Sequence, residues 1–482
     1  MKKIVIVGAG LGGLTAAALL AKAGHSVTVL ERNGWIGGKS RRIEVAGQRI
    51  DTGPSLITFP AVLDELYRRY DALGEPSNAA ASADLTLEKL PEVGRYFFRD
   101  QAVNLPVEPG HEWFEAWQRF DAIHGSLSPQ ITELLKTDPL SPRTLPAVGA
   151  MVSKYGLRLS TSAYLRGLNW LPDGLREVIA IHTLNAGIAP ERTLALYATM
   201  PAVMAREGIS VPKGGVYEIA MALGRLAAEA GATVLTNTRV TAIKRGSVTT
   251  DTAEYPADVV IGATDAQVLD RLLGKKARPK KRVSCSGVAV FVTLKQPLPE
   301  HVVTHSVIMP SSPEQLHASL DETAVPAETM AFLNYYKPGH IYPNTKATAA
   351  ILLTAPANGE SFAFEHPFVQ RELERISRMI GLDGNIADLV EDYKILDPSY
   401  FSEFGADGGS LYGSTRPMWQ GGPFHLPGYS SLFRPWLWRV GASVHPGGGV
   451  PAVIGGAMSS TARLLAVIGK RPRQESNLRP RD

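Results

Sequence analysis

The sequence has almost no cysteine, little excess charge and no long uninterrupted apolar run. Its single cysteine, Cys285, excludes an intramolecular disulfide and a cysteine-based zinc site. The 50 Lys and Arg residues against 46 Asp and Glu residues leave a net charge of +4, too balanced to indicate a nucleic-acid partner. No apolar run reaches the roughly 18 residues of a membrane span. The 482 residues, 44% of them hydrophobic, predict a globular protein of two or more domains, or one large split domain.

Short motifs of several enzyme classes are also missing. HExxH, GxSxG and the phosphate-binding P-loop do not occur, so the hydrolase and kinase interpretations have no support. No metal site is predicted. The function is therefore expected to depend on a site of another kind.

The N-terminal segment predicts a strand, a glycine-rich turn, a helix and a second strand. Residues 4–7 form a short β-branched run typical of a buried parallel strand, and residues 14–23 are rich in Ala and Leu. Residues 27–30 predict the second strand, which ends at Glu31. The terminus also resembles a signal peptide, but we expect none because cleavage would remove this βαβ unit. The turn after the first strand contributes five candidate binding residues: Gly8, Ala9, Gly10, Gly12 and Gly13.

The glycines of this turn contain a GxGxxG pattern in which each glycine has a separate role. Gly8 permits the tight turn, Gly10 lets the backbone approach a pyrophosphate, and Gly13 allows the helix to pack closely on the strand. The free N–H groups of the helix start then face the phosphates. Glu31, 23 residues after Gly8, can accept hydrogen bonds from ribose hydroxyls. With strand, helix, second strand and terminal acid all present, the segment predicts a dinucleotide site.

A second group of candidate residues follows Glu31. The pair Gly37 and Gly38 precedes Lys39 and offers another close backbone approach beside a positive charge, which an NAD-only site does not need. Residues 51–55 read DTGPS and predict a turn. In this order, GxGxxG, E-(x)5-GG-K and DTGPS resemble the FAD-dependent oxidoreductases of the flavin amine oxidase and carotenoid desaturase superfamily. Members usually carry Arg after the glycine pair; Lys39 keeps the charge but loses the two-pronged fork of Arg.

The C-terminal region contains a glycine cluster between a strand and a small-residue helix. Residues 441–451 read GASVHPGGGVP, and the helix is predicted to start near Pro451. Such a helix start supplies N–H groups and a positive dipole end, useful beside a pyrophosphate or the electron-accepting edge of a flavin. The pattern G-A-x-x-H-P-G-G-G-V-P closely resembles the bacterial-type phytoene desaturase family. Amine oxidases more often carry an acidic residue at the position of Ala442.

The resemblance implies FAD as the cofactor and an α/β fold. It implies a Rossmann-like FAD-binding domain, split in sequence, with an α+β substrate domain and a helical insertion. The FAD-binding domain is expected over 1–60, 205–275 and 400–470, and the substrate-binding domain, with a helical and membrane-facing part, over 61–204 and 276–399. Residues 471–482 are expected to be a disordered tail. Besides the glycine-rich turn and Glu31, the resemblance implies these FAD-binding residues: Arg32, Gly37, Gly38, Lys39, Gly53, Pro54, Ser55, Val240, Gly441, Ala442, Gly449, Val450 and Pro451.

The resemblance also implies a reaction: desaturation of a phytoene-like carotenoid precursor by hydride transfer to flavin N5. The C–H bonds of a polyene are too weakly acidic for a side-chain base to begin this reaction alone, so no catalytic acid or base is nominated. Oxygen or a quinone is expected to accept the electrons. A flavin amine oxidase-like oxidase, a carotenoid isomerase or saturase, and a flavin-free lipid- or prenyl-binding protein remain the alternatives.

The middle of the chain predicts helices over 60–73, 111–124 and 172–184, with aromatic residues interleaved. These aromatics suit ordinary core helices or, through the resemblance, the lining of a long apolar substrate tunnel. A charged amphipathic helix over 366–380 is expected to be a solvated face.

An apolar polyene substrate implies a cytoplasmic enzyme that attaches to one membrane surface without a spanning helix. One group of C-terminal aromatics suits either a membrane-seeking surface or the core: Trp419, Phe424, Tyr429, Phe433, Trp436 and Trp438. His445 is expected to be a structural hydrogen-bonding residue of its turn rather than a proton-transfer group. Cys285 is expected to fill the core rather than act as a nucleophile or a flavin attachment point.

Overall fold

The computed structural model describes residues 1–99, 101–156, 158–276, 282–415, 418–421 and 425–469. The predicted disordered tail over 471–482 lies outside the described residues, as do Phe424 and the side chain of Trp419. Within the described residues, the chain folds around one central parallel sheet and one larger, mostly antiparallel sheet.

Short strands and helices succeed one another along the chain. The strands are β1 (Lys3–Val7), β2 (Ser26–Leu30), β3 (Arg41–Val45), β4 (Gln48–Thr52), β5 (Ile57–Thr58), β6 (Leu87–Lys89), β7 (Gly94–Phe98), β8 (Gln101–Leu105), β9 (Ile209–Pro212), β10 (Thr233–Leu235), β11 (Val240–Lys244), β12 (Ser247–Thr250), β13 (Glu254–Pro256), β14 (Val259–Gly262), β15 (Ser286–Leu294), β16 (His305–Ile308), β17 (Ala331–Tyr336), β18 (Thr348–Ala355), β19 (Val390–Leu396), β20 (Ser430–Ser431) and β21 (Arg434–Arg439). The helices are α1 (Leu11–Lys22), α2 (Ala61–Asp71), α3 (Ala79–Ala83), α4 (Phe114–His124), α5 (Ser128–Lys136), α6 (Leu145–Tyr155), α7 (Thr161–Arg166), α8 (Asp173–Ala180), α9 (Met200–Glu207), α10 (Tyr217–Glu229), α11 (Ala266–Leu272), α12 (Pro313–Asp321), α13 (Pro367–Met379), α14 (Pro398–Ser402) and α15 (Val450–Ile468).

The central sheet has the strand order β10-β2-β1-β14-β21-β20, and all its strands are parallel except β20, which pairs antiparallel with β21. Its strands come from three distant parts of the chain. Side chains of the middle strand β1 alternate between the two faces of the sheet, and both faces are buried. Ile4 and Ile6 join the core formed with α1, and Val5 and Val7 pack with residues of β11 and β12. The α/β prediction, and the βαβ unit at the N-terminus, are confirmed.

The second sheet has the order β19-β15-β18-β17-β16-β7-β8, with antiparallel neighbours except for the parallel pair β7 and β16. Helix α13 covers one face of this sheet. The prediction that 366–380 forms a solvated face is wrong for one side of the helix, where Glu372 and Arg375 are buried. Arg375 is satisfied there because it pairs with Glu372 at 2.6 Å and donates to the carbonyl oxygen of Met309 at 2.8 Å.

The helical insertion lies between β8 and β9 and holds α4 to α9. The helix predicted over 111–124 is α4, and the helix predicted over 172–184 is α8 followed by a 3-10 helix, Ile181–Ala186. Trp117, Phe120 and Tyr164 are buried, so the core interpretation is confirmed for these aromatics.

Helix α15 is the one described helix with the length and composition of a membrane span, which was not expected from the sequence. Of its most apolar window, 56% is buried inside the protein. It packs against α1, α2 and α5, so its apolar side chains are used in the core.

Candidate functional site

The carboxyl ends of three parallel strands bring three chain segments together. Gly8 follows β1, Ala263 follows β14, and Gly441 comes two residues after β21. A Cβ atom at Gly8 would lie 3.1 Å from the carbonyl oxygen of Ala263, and Gly8 has a φ of +106°. Ligands of open parallel sheets bind at this edge, where the strand order reverses.

The glycines of the first turn differ in their surroundings. A Cβ atom at Gly13 would lie 2.1 Å from the carbonyl oxygen of Gly8, so this glycine allows α1 to pack against the turn. A Cβ atom at Gly12 would lie 3.0 Å from the backbone nitrogen of Gly441. At Gly10, in contrast, a Cβ atom would meet no protein atom within 4 Å. The space above Gly10 is therefore open.

The second glycine pair lies directly beside the first turn. The N–H of Gly37 donates to the carbonyl oxygen of Ala9 at 2.7 Å, and a Cβ atom at Gly38 would lie 3.2 Å from the Cα atom of Gly10. Gly37 has a φ of +100°, which only glycine adopts without strain. The two glycine-rich segments thus form one continuous cradle.

Glu31 is turned toward this cradle. Its carboxylate accepts the N–H of Ala9 on Oε2 at 2.9 Å and the N–H of Asn33 on Oε1 at 2.9 Å. Val240 begins β11 close by, since the N–H of Thr238 donates to the Glu31 carbonyl oxygen at 2.7 Å. Arg32 is exposed, and its guanidinium lies 5.4 Å from the ring centre of Phe404.

Lys39 lies deep in the protein and still has accessible surface. Its Nζ donates to the carbonyl oxygen of Leu411 at 2.7 Å, and the residue is exposed by area. Loss of water lowers the pKa of Lys39, while the nearby Asp265 carboxylate opposes this shift. A side chain that is desolvated by surrounding protein yet accessible faces an internal space.

The DTGPS turn packs against the backbone of Lys39. A Cβ atom at Gly53 would lie 2.6 Å from the carbonyl oxygen of Lys39, and Gly53 has a φ of +92°. Pro54 and Ser55 follow and are half-buried. The close approach at Gly53 therefore fixes the position of the Lys39 backbone.

The C-terminal glycine cluster forms another wall of the same region. Ala442, Gly448 and Gly449 are exposed, and a Cβ atom at Gly448 would lie 3.0 Å from Cδ1 of Tyr412. Gly449 caps α15, whose first turn begins with Val450 and Pro451. Because Gly12 approaches both Gly441 and the Val453 side chain, the N-terminal ends of α1 and α15 lie side by side.

These residues fit a dinucleotide cofactor. Neither α1 nor α15 has an acidic residue in its first turn or a side-chain cap, so their first N–H groups suit phosphate oxygens. The open space above Gly10 suits a pyrophosphate, and Lys39 adds positive charge. Glu31 also accepts the side-chain amide of Asn33 on Oε1 at 2.8 Å, and its two carboxylate oxygens offer about four acceptor positions for these three bonds.

Two residues singled out by the sequence have structural contacts. His445 is buried; its Nδ1 lies 2.9 Å from the His425 carbonyl oxygen, and Tyr429 donates to the His445 carbonyl oxygen at 3.2 Å. The prediction of a hydrogen-bonding residue of the turn is confirmed. Burial raises the pKa of Cys285 to about 12, so it remains a thiol in the core, as predicted.

Sequence reasoning missed two residues of this region: Asp265 and Tyr412. Asp265 faces Lys39 and caps α11, and Tyr412 packs on Gly448. Asp265 lies just after the apolar run that forms β14, which is a usable signal for a site at the strand end. Tyr412 belongs to no motif, so only the tertiary structure identifies it.

Comparison with known proteins agrees with this architecture. Residues 6–73 match the NAD(P)-binding Rossmann-like domain, and residues 160–399 match the flavin containing amine oxidoreductase family. A zeta-carotene-forming phytoene desaturase of Myxococcus xanthus is 27% identical, over 96% of this chain and 94% of its own length. A 1-hydroxycarotenoid 3,4-desaturase of Flavobacterium sp. is 23% identical, over 94% of this chain and 96% of its own length.

Solved structures show the same fold. The cyclohexylamine oxidase of Brevibacterium oxydans superposes with a TM-score of 0.62 at 14% identity, over 97% of this chain and 98% of its own. A Rossmann-like domain, a flavin oxidoreductase domain and the glycine cradle together identify FAD as the cofactor. The chain belongs to the flavin-containing amine oxidoreductase family, and within it the carotenoid desaturases are relatives that extend over nearly its whole length.

Proposed function

We propose that this protein is an FAD-dependent desaturase that removes two hydrogens from adjacent carbons of a carotenoid precursor. The observation that carries this function is the similarity to desaturases over 94 to 96% of the chain, which includes the cradle and the second sheet alike. An amine oxidase-like function is less well supported, because Ala442 stands where amine oxidases more often carry an acid. Isomerase or saturase chemistry and flavin-free binding have no observation in their favour.

The cofactor-binding residues remain as inferred from the sequence. We propose that the first turn, Glu31, the second glycine pair, Lys39, the DTGPS turn, Val240 and the start of α15 hold FAD. When bound, FAD supplies the acceptor for the two electrons of a C–H bond. The chain's own part is to hold the cofactor by its phosphates and to keep the polyene in a dry channel beside it. The electrons then pass to an acceptor such as oxygen or a quinone.

The interior of the proposed substrate-binding part contains buried histidines that stay uncharged. Burial lowers the pKa of His124 and of His182 to about 3, and that of His305 to about 4. Each neutral ring has a hydrogen-bonding partner: Thr199 for His124, Tyr96 for His182 and Asn334 for His305. An apolar polyene is favoured by such neutral surroundings.

We further propose a division into two domains. The central sheet with segments 1–60, 205–275 and 400–470 binds FAD, and the second sheet with the helical insertion binds the substrate. Helices α2 and α3 pack on α15 and α10 respectively, so in space they belong with the FAD-binding part.

The decisive test is an anaerobic visible spectrum of the purified protein before and after addition of phytoene in liposomes. Bleaching of the flavin bands together with new polyene absorbance is the expected result. Flavin bands that respond to amines and not to carotenoids would overturn the proposal in favour of the amine oxidase alternative.

Lys39 predicts a pH dependence of FAD binding. The protonated amine of Lys39 attracts the cofactor phosphates. Because the pKa of Lys39 is lowered from 10.5, the ordinary value for lysine, the amine loses its charge, and with it this attraction, before the pH reaches that value. We expect the wild type to lose FAD affinity as pH rises toward 10.5, while Lys39→Arg keeps it. Lys39→Gln should bind about tenfold more weakly already at neutral pH. Fluorescence titration of FAD from neutral to alkaline pH measures this; parallel curves for wild type and Lys39→Arg would contradict the role.

We also propose that the protein attaches to a membrane through exposed apolar side chains. Leu432 and Phe433 are 97% and 95% exposed, whereas Tyr429 and Trp438 of the same region are buried in the core. Further exposed apolar residues occur between residues 140 and 159 and just before the Leu432 segment: Leu140, Leu145, Val152, Leu159 and Leu426. The segment that begins at Asp138 is joined to the segment of Tyr429, because Arg463 pairs with Asp138 and lies 5.5 Å from the ring centre of Tyr429. An exposed apolar surface of this kind suits an interface.

Charged residues in this surface should release the protein from vesicles. A Leu432→Glu, Phe433→Glu double variant is expected to bind liposomes at least about tenfold more weakly, because two apolar side chains no longer enter the bilayer. Val325→Glu, also at an exposed apolar position, serves as the control. Equal co-sedimentation of the double variant and the wild type would contradict the proposed surface.

A further inference from the structure

Two long stretches of the sequence contain no Asp or Glu residue: residues 139–172 and 408–474. Over the whole chain, acids and bases nearly balance, with 46 Asp and Glu residues against 50 Lys and Arg residues. The first stretch nevertheless carries only positive charges, on Arg143, Lys154, Arg158 and Arg166. The small net charge of the protein therefore conceals two regions whose charges are all of one sign.

The exposed large apolar side chains concentrate in the same two stretches. Among the described residues, the exposed ones that lie elsewhere are Met1, Met221, Val325 and Tyr393. Those within the stretches are Leu140, Leu145, Val152, Leu159, Tyr412, Leu426, Leu432, Phe433 and Val467. Exposed apolar side chains and the absence of acids thus occur together in this chain.

Helix α6 shows how the first stretch presents its side chains. Leu145 and Val152 lie two turns apart on one side of the helix and are exposed, whereas Ala147 and Met151 are buried on the other side. Lys154 is exposed in the last turn. The helix therefore combines an outer side that carries apolar residues with a positive charge near its end.

The four cations of the first stretch form no ion pair with a carboxylate of the described residues. The acids that border the stretch are themselves paired, Asp138 with Arg463 and Asp173 with Arg176. Neither acid therefore adds a free negative charge at either end. The positive charge of the stretch remains available to a partner outside the chain.

Packing adds to the density of positive charge. The guanidinium of Arg158 lies over Gly167, because a Cβ atom there would lie 2.9 Å from Nε of Arg158, and Gly167 directly follows Arg166. Arg119 of α4 supplies a further positive charge, since its guanidinium lies 4.3 Å from the ring centre of Trp170 in the same stretch. Like charges repel one another, and a negatively charged partner relieves this repulsion.

The second stretch meets the first through Arg463 of α15. Arg463 pairs with Asp138, which directly precedes the first stretch, and its guanidinium lies 5.5 Å from the ring centre of Tyr429. Tyr429 directly precedes β20, and Leu432 and Phe433 form the turn between β20 and β21. The hairpin that exposes Leu432 and Phe433 is thus anchored where the first stretch begins.

We infer that the protein binds bilayers that contain anionic lipids, and that the cations of residues 139–172 select these lipids over neutral ones. The inference rests on the proposed attachment to a membrane and names the lipid class that the attachment requires. Exposed apolar side chains enter any bilayer, whereas Lys and Arg side chains beside them are attracted by negatively charged headgroups. An acidic protein would supply negative charge but no acyl layer for the exposed leucines.

The test compares vesicles of phosphatidylcholine alone with vesicles that also contain phosphatidylglycerol. Co-sedimentation of the purified, FAD-loaded protein gives a Kd for each kind of vesicle. We expect binding to the anionic vesicles to be at least about tenfold tighter. This preference should disappear as the salt concentration rises from about 0.1 M to about 1 M, because the screening length then falls from about 10 Å to about 3 Å.

Removal of three exposed cations from the first stretch should remove the preference. The triple variant Arg143→Gln, Lys154→Gln, Arg166→Gln is expected to bind anionic vesicles at least about tenfold more weakly than the wild type. Its binding to neutral vesicles should be unchanged, because its apolar side chains are intact. All three positions are exposed, so the variant should fold and keep its flavin spectrum.

A second triple variant removes the same charge from exposed positions outside both stretches. Lys244→Gln, Arg245→Gln, Lys337→Gln is this matched control, and it should keep the wild-type preference. An equal loss of affinity in the two triple variants would overturn the inference, because the total charge of the protein would then account for the binding.

Three further outcomes distinguish this inference from the proposals above. Equal binding of the wild type to both kinds of vesicle would overturn the selection of anionic lipids and leave attachment by apolar side chains in place. Binding to neither kind would overturn both, while bleaching of the flavin by phytoene in detergent would still decide the desaturase function. Salt-sensitive binding to a polyanion such as heparin, without binding to vesicles, would assign the cations to another partner and overturn the inference.

Discussion

Replacing Gly10 with valine is expected to abolish FAD binding in a protein that still folds. Gly10 has φ −68° and ψ 171°, which valine adopts readily, and a Cβ atom there meets no protein atom within 4 Å. The new side chain would instead occupy the space that the pyrophosphate needs. We expect the purified variant to retain less than about a tenth of the wild-type flavin, with an unchanged circular dichroism spectrum.

A matched glycine far from the cradle serves as the control for this experiment. Gly149 lies in α6, also without a positive φ and with no atom within 4 Å of a Cβ. Gly149→Val should therefore keep its flavin. Full flavin occupancy in purified Gly10→Val would contradict the assignment of the cradle.

Replacing Gly13 with alanine should destabilise the fold itself, whereas the change at Gly10 blocks only the cofactor. The added Cβ atom would lie 2.1 Å from the Gly8 carbonyl oxygen and 3.0 Å from the Ala263 side chain. Neither can move away without separating α1 from β1. We expect a loss of about 3 kcal/mol or more in the free energy of unfolding, seen as low soluble yield and a lowered Tm.

The same substitution at Gly10 separates the two effects. Gly10→Ala adds its methyl group to open space, so its Tm without cofactor should match that of the wild type stripped of FAD. Added FAD should not restore Gly13→Ala, since its defect precedes binding. A Gly13→Ala variant with the wild-type Tm would show that the close contact between α1 and the turn is not required.

Much of the fold could be predicted because its signals are local. The β-branched run at 4–7, the Ala- and Leu-rich helix after it and the second strand that ends before Glu31 form as expected. Predicted helix ends are less accurate: the helix expected to reach residue 184 ends at Ala180 and continues as a 3-10 helix. Apolar spacing does not distinguish these two helical forms, whose hydrogen bonds differ by one residue.

The burial of α13 illustrates a second limit. Its charged residues predict a solvated face, but Arg375 can be buried because the carbonyl oxygens of Met309 and Thr329 accept hydrogen bonds from its guanidinium. Those carbonyl groups come from distant segments, as the hydrogen-bond separations of 66 and 46 residues show. No pattern within the helix reveals such partners.

The fold class, the cofactor class and the segments that form the cradle follow from the sequence alone, because glycine spacing, strand composition and the acid after β2 are local and chemically specific. How those segments are used depends on the tertiary structure. It distinguishes Gly10, which faces open space, from Gly13, which faces backbone, although both are glycines of one motif. It also brings the ring of Tyr412 against Gly187 and Gly448, which lie far from it in the sequence. Such pairings arise from packing between distant segments, and packing is decided when the whole chain has folded.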